Sequence, residues 1–192
     1  MTKGMDRIAI DVGQVLQRTV TSLYSNLVTR PTGRAVRMAI ETRLQDAGER
    51  SLSLIDLSEV VILDFSCADE VVARLLERSR ESPSHEAFFV FRGVHEPHQD
   101  QIETVLERRG LAAVAETASD TFELLGVSSE AEARAWGVVE EHGLLESDEI
   151  DARLVDPDDR AGLDQLVERR LVFQSPHTGR VHALSQLVRQ LL

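Results

Sequence analysis

The chain has 192 residues, a formal net charge of −12, 42% hydrophobic and 28% charged residues, and a single cysteine. That length supports one large or two small domains with real cores, and the apolar-to-charged balance is that of an ordinary soluble globular protein. The acid excess argues against a general binder of nucleic acid or anionic membrane. The lone Cys67 excludes an intramolecular disulfide and a cysteine-rich metal site, which fits a reducing, cytoplasmic setting.

The opening segment, MTKGMDRIAIDVG, lacks the apolar core of a signal peptide, and no run reaches the length of a membrane span. Arg7 to Val12 alternates, with Ile8 and Ile10 on one side, as an early strand does. Residues 19–29, TVTSLYSNLVT, mix β-branched residues with Leu23, Tyr24, Leu27 and Val28 and read as a second strand. The breaker cluster Thr29 to Gly33 then sets Pro31 in the first turn of a helix. That helix carries Val36, Ala39, Ile40, Leu44 and Ala47 on one face, with Gly48 at its C-cap and Arg34, Arg37 and Arg43 mostly on the exposed side.

Ser51 to Glu77, SLSLIDLSEVVILDFSCADEVVARLLE, is the stretch around which the rest is arranged. Alternating Leu52, Leu54 and Leu57 lead into the apolar run Val60 to Leu63, which predicts a central strand buried on both faces. After Asp64-Phe65 the period changes, and Ala68, Val71, Val72, Leu75 and Leu76 make one apolar helix face. Ser66 stands where an N-cap belongs, and Asp69 and Glu70 fall in the first turn, where the helix dipole favours negative charge.

This junction resembles STAS domains, the fold of anti-anti-sigma factors, over about the first two-thirds of the chain. Asp56-Leu57-Ser58-Glu59-Val60, a few apolar residues, then Asp64-Phe65-Ser66-Cys67 follows the family's strand and its D-S-S-G helix start. Phe65 replaces the first serine and Cys67 the glycine, and Ser66 to Glu70 (SCADE) is closer to a divergent STAS-like family. The resemblance implies that Ser66 matches the serine that a partner kinase phosphorylates in anti-anti-sigma factors.

Further on, Arg80 to Ser84 marks a loop and Ala87 to Phe91 a buried strand. Pro97 to Arg109 reads as a helix with Ile102, Val105 and Leu106 inward, closing at Gly110, and Leu111 to Ala115 as a short strand. Strands alternating with helices imply a layered α/β sheet. Thr117 to Val127 is a junction whose Phe122, Leu124 and Leu125 can form a strand or pack between modules. Ser129 to Glu132 is a capping box opening a helix to about His142, with Gly143 behind it. Ser147 caps a brief helix to about Leu154, and Asp156-Pro157 starts a third with Leu163, Leu166 and Val167 inward. Leu171 to Gln174 and Arg180 to Leu184 make a hairpin around the turn SPHTG. Three short helices and a hairpin resemble a winged-helix domain. The expected fold is α/β: a STAS-like sheet with helices packed on it over residues 1–120, and a small, mainly helical winged-helix-like domain over 128–192.

Phosphate on Ser66 would add roughly two negative charges at a helix N-terminus, although Asp64, Asp69 and Glu70 would repel it. The plainer role for Ser66 is that of a cap. Cys67 reads either as a thiol acidified by the helix end or, more simply, as a small residue filling the corner. The histidines, among them His95 and His98 around Pro97 and His177 and His182 around the hairpin turn, form no ligand pattern. Beyond Ser128 there are seven arginines against thirteen carboxylates, and the third helix opens with Asp156, Asp158 and Asp159. That charge disfavours DNA, for which Arg169, Arg170 and Arg180 are the candidate contacts.

The sequence thus predicts no enzyme, no cofactor and no metal site. It predicts a cytoplasmic bacterial regulatory protein that binds a protein partner, such as a histidine-kinase-like anti-sigma factor, with Ser66 as phosphoacceptor. Asp64, Cys67, Asp69 and Glu70 are the candidate docking residues. The alternative is a DNA-binding transcriptional regulator acting through the C-terminal domain. Self-association stays open, and no membrane association is expected.

Overall fold

The computed structural model describes residues 21–22, 26–47 and 49–190. The strand expected at Arg7 to Val12 and the cap at Gly48 lie outside the described residues. The architecture is mixed α/β, in two compact units, the chain passing from one to the other between Val127 and Ser128. Among the described residues no helix is long and apolar enough to cross a membrane.

The first unit is built on a five-stranded sheet in the order β1-β3-β5-β6-β7, from β1 (Thr21–Ser22), β3 (Arg50–Asp56), β5 (Glu86–Arg92), β6 (Ala112–Ala118) and β7 (Thr121–Gly126). All neighbours pair in parallel except β6 and β7, which form an antiparallel hairpin. The segment read from sequence as a junction is thus the edge strand of this sheet. β3 and β5 pair along their full length, with Ser53 opposite Phe89 and Ile55 opposite Phe91.

The stretch's sheet strand is β3, held between β1 and β5, and this corrects the expectation for Val60 to Leu63. After β3 the chain turns, with the Ser58 N–H donating to Asp56 Oδ1 at 2.8 Å and the Val60 N–H to the Leu57 carbonyl at 2.9 Å. Only Ile62–Leu63 (β4) is extended, and it pairs in parallel with β2 (Asn26–Leu27) in a separate two-stranded ribbon. Val61 is 72% and Ile62 50% exposed, whereas Ser51 and Ser53 of β3 are buried. Their small side chains, with Leu52 and Leu54 buried on the other face, make β3 the strand buried on both faces.

Helix α1 (Arg30–Gln45), helix α2 and helix α3 (Glu96–Arg108) pack on the sheet. α2 runs continuously through Phe65–Ala68, a π-helical stretch Asp69–Arg74, and Leu75–Glu81. Ile40, Val71, Val72, Leu75, Ile102, Val105 and Leu106 share one buried cluster with Ile55, Phe89, Phe91 and Ala115 of the strands. The apolar periodicity of α2 and α3 is therefore satisfied as their spacing requires. On α1, Ala39 is exposed and Arg37 buried, the reverse of their expected positions.

The second unit contains α4 (Glu130–His142), β8 (Leu144–Leu145), α5 (Ser147–Arg153), α6 (Pro157–Glu168), β9 (Val172–Gln174), β10 (Val181–Ala183) and α7 (Leu184–Arg189). Its three strands form an antiparallel sheet in the order β8-β10-β9. The capping box forms as expected: Ser129 Oγ accepts from the Glu132 N–H, and Glu132 accepts from the Ser129 N–H. α5 is capped by Glu146 rather than Ser147, which is already helical and donates its hydroxyl to the Thr178 carbonyl at 2.9 Å. Gly162 in α6 lies so close to α4 that a Cβ there would sit 2.7 Å from the Ala131 carbonyl.

His182 of β10 is buried between Leu144 and Phe173 of the flanking strands, its ring tilted against Phe173 at 5.8 Å, and among the described residues Nε2 has no partner. Burial first, then the charge of Arg180, pushes its pKa down to about 4, with Glu146 opposing. The folded-state pKa lies below the ordinary 6.5, so the neutral ring's stabilisation is complete above that value and is lost as pH falls from there towards 4. We expect the second unit to lose roughly 3 kcal/mol over this range. Urea unfolding followed through Trp136, the single tryptophan, reads it. His182→Leu should flatten most of that pH dependence, and an unchanged pH profile in the variant would rule the mechanism out.

Candidate functional site

The residues singled out at the strand-to-helix junction come together in the first unit, where the N-termini of α1 and α2 meet. Asp64, not Ser66, caps α2. Its Oδ1 accepts from the Cys67 N–H at 2.7 Å and its Oδ2 from the Thr29 N–H at 2.8 Å, so one carboxylate ties both helix starts together. The Asp64 N–H in turn donates to the Leu27 carbonyl at 3.0 Å, at the end of the β2–β4 ribbon. Partial burial pushes the Asp64 carboxyl up, but the donors from Thr29, Cys67 and Ser66 outweigh it and hold the group below its ordinary value.

Ser66 is half-buried in the first turn of α2. Cys67 is fully buried and donates its thiol to the Thr29 carbonyl at 3.0 Å. Burial, followed by the Asp64 charge, pushes the thiol up to about 11, which removes the acidified-thiol reading. Beside it, a Cβ on Gly33 of α1 would lie 2.9 Å from Cys67 Cα and 3.1 Å from Glu70 Cβ. Only glycine permits the helices this approach. Thr29, at the turn into α1, has φ 74° and ψ 142°, a region that a β-branched residue rarely occupies. Its N–H and carbonyl are both engaged by α2 residues, which is what holds the strain in place.

Asp69 and Glu70 are buried, at 5% and 0% exposure, and so offer a partner no direct contact; the same holds for Cys67. They open the π-helical stretch, a conformation that is rare and recurs at functional sites. Arg30 Nη1 donates to Asp69 Oδ2 at 2.7 Å and to Glu70 Oε1 at 2.9 Å. Arg109 grips Asp69 with two nitrogens, Nε at 2.7 Å and Nη2 at 3.1 Å, while Arg37 Nε reaches Glu70 Oε2 at 3.1 Å. Arg74 Nε approaches both carboxylates, at 3.3 and 3.5 Å. Burial alone would raise Asp69, but Arg109 and Arg30 bring it down to about 2; Glu70 is likewise lowered by Arg30 and Arg37 against its burial. The network extends outward through Glu41, which accepts from Arg37 and Arg78, and through Glu77, which accepts from Arg109.

The sequence reading missed the arginine half of this site. Its signal was two adjacent acids, Asp69 and Glu70, inside an otherwise apolar helix face, a placement that calls for cationic partners from elsewhere in the fold.

In the second unit, Arg169 Nη1 is committed to Glu132 at 2.6 Å and Arg180 Nε to Glu146 at 2.7 Å. Arg170 follows α6 with φ 59° and is half-buried. The outer residues of α6 include Asp158, Asp164 and Glu168. Among the described residues no group of His, Cys, Asp and Glu is arranged to hold a metal; His95 and His98 sit with ring centroids 6.0 Å apart, His98 buried.

No protein-family model matches the chain, and no curated protein or solved structure does.

Two substitutions at the helix junction should act in opposite directions. Thr29→Gly releases the strained backbone and should raise the stability of the first unit by about 1 kcal/mol. Gly33→Ala forces α1 away from Cys67 and should lower it by about 1–3 kcal/mol. Urea titrations of the two variants give both signs. Equal effects would show that the close approach is not under strain.

Proposed function

We propose that the chain is a non-enzymatic regulatory protein whose N-terminal, STAS-like unit docks a protein partner at the start of α2, with Ser66 as the phosphoacceptor that switches docking. The observation that carries this reading is that the junction is rigid and chemically committed. Asp64 is held by backbone donors, Cys67 is a buried, protonated donor, and Asp69 and Glu70 are gripped by arginines. Nothing there is poised as a nucleophile or general base, which supports recognition over catalysis. Ser66, half-buried in the first turn of α2, offers a hydroxyl on this frame.

A phosphate on Ser66 would meet the helix N-terminus, which tolerates anions, and would oppose the Asp64 carboxylate. The frame beneath is held by several independent contacts, so the added charge changes the surface rather than unfolding it. The partner class that fits is a kinase-like anti-sigma factor in a bacterial cytoplasm. The winged-helix-like second unit supplies a further protein interface, since its acidic α6 and its paired Arg169 and Arg180 leave little cationic surface for phosphate.

The order helix, strand, helix, helix, hairpin in the second unit supports a second reading, a DNA-binding regulator. Retention of duplex DNA that weakens with salt and collapses on neutralising Arg169 and Arg170 supports that reading. No retention at low salt removes it.

Affinity capture from native lysate, comparing wild type with Ser66→Asp and Ser66→Ala, tests the docking switch. We expect one partner held by wild type and by Ser66→Ala and lost by Ser66→Asp. Equal capture by all three would leave Ser66 as an ordinary first-turn residue.

A further inference from the structure

At the far end of α1 from the junction lies a cavity of about 210 Å³, between α1, the last turns of α2 and the start of β5. Leu44, Leu75 and Ala87 give it an apolar wall, and Glu41, Arg78 and His85 line its polar side. The volume corresponds to about seven waters of liquid, the scale of one small organic molecule.

The polar side carries two paired groups, Glu41 and Arg78, that are each engaged through only part of their polar atoms. Glu41 receives both Arg37 Nη1, at 2.7 Å, and Arg78 Nε, at 2.9 Å, on the same oxygen, Oε1. Among the described residues its Oε2 has no partner, and neither do the terminal guanidinium nitrogens of Arg78, whose side chain is 56% exposed. A carboxylate acceptor and a guanidinium donor are thus held in direct contact at the mouth of an apolar recess. An anion alone would be repelled by Glu41, and a cation alone by Arg78.

We propose that this cavity binds a small apolar α-amino acid. Its carboxylate takes the terminal nitrogens of Arg78, its ammonium takes Glu41 Oε2, and its aliphatic side chain lies against Leu44, Leu75 and Ala87. The α-amino acid head group fits because its opposite charges are one carbon apart, as close as the protein groups that would receive them. Glu41 also holds Arg37, whose Nε binds Glu70, so the occupied site shares an ion-pair chain with the start of α2. This site does not depend on the docking role of Ser66.

Titration of the isotopically labelled protein with L-leucine, followed by amide chemical shifts, tests it. We expect saturable shifts at Leu44, Gln45, Ser79 and Ala87 in the millimolar range. The analogues 4-methylpentanoate, which lacks the ammonium, and isopentylamine, which lacks the carboxylate, should each bind at least about tenfold more weakly. Arg78→Gln should abolish the shifts while amides remote from the cavity keep their positions, which shows that the variant is folded. Absent or non-saturable shifts overturn the proposal, as does either analogue binding as well as leucine. Retention of leucine binding by Arg78→Gln does the same.

Discussion

The first unit depends on two adjacent carboxylates, Asp69 and Glu70, buried in a helix that is otherwise apolar on that side. A buried, unpaired charge is costly, and removing one partner of a buried pair typically loses about 3–5 kcal/mol. The fold therefore has to bring cations to them. It draws Arg30 and Arg37 from α1, Arg74 from α2 itself and Arg109 from the end of α3. These contacts fix where α1 and α3 sit against α2 more specifically than apolar packing does, because each guanidinium must meet its oxygen within hydrogen-bond geometry.

The junction above this pair inherits its rigidity. Gly33 allows α1 to touch α2, Arg30 anchors the first turn of α1, and Asp64 then binds the N–H groups of Thr29 and Cys67. Thr29 keeps its unusual backbone because its neighbours leave no alternative. Ser66 is thus displayed on a helix start fixed from behind, with Val61 and Ile62 exposed just before it. A docking surface of the kind proposed would lose little conformational entropy on engaging a partner, because it is preorganised.

Much of the layout was legible because the residues concerned obey local rules. β5 and α3 sit where AFFVF and the spacing of Ile102, Val105 and Leu106 put them, and the capping box at Ser129 and Glu132 starts α4 as its chemistry demands. The failures have long-range causes. Val60 to Leu63 looks like a core strand by composition, yet the Asp56–Ser58 turn diverts the chain and leaves Val61 and Ile62 exposed. Ser66 looks like a cap, but Asp64, two residues earlier, is the N-cap and accepts from both the Thr29 and Cys67 N–H groups. Arg37 looks solvated because its partner Glu70 lies 33 residues away in sequence, beyond any periodicity.

The central claim is that the buried carboxylate pair holds α1 in place and so preorganises the junction. Amide hydrogen exchange on wild type and Glu70→Gln, in the native protein without denaturant, addresses it directly. The account predicts lost protection in the first turns of α1 and at Cys67 and Ala68, with β3 and β5 exchanging as slowly as in wild type. Unchanged protection across α1 in the variant would contradict it, and apolar packing alone would then be what places that helix.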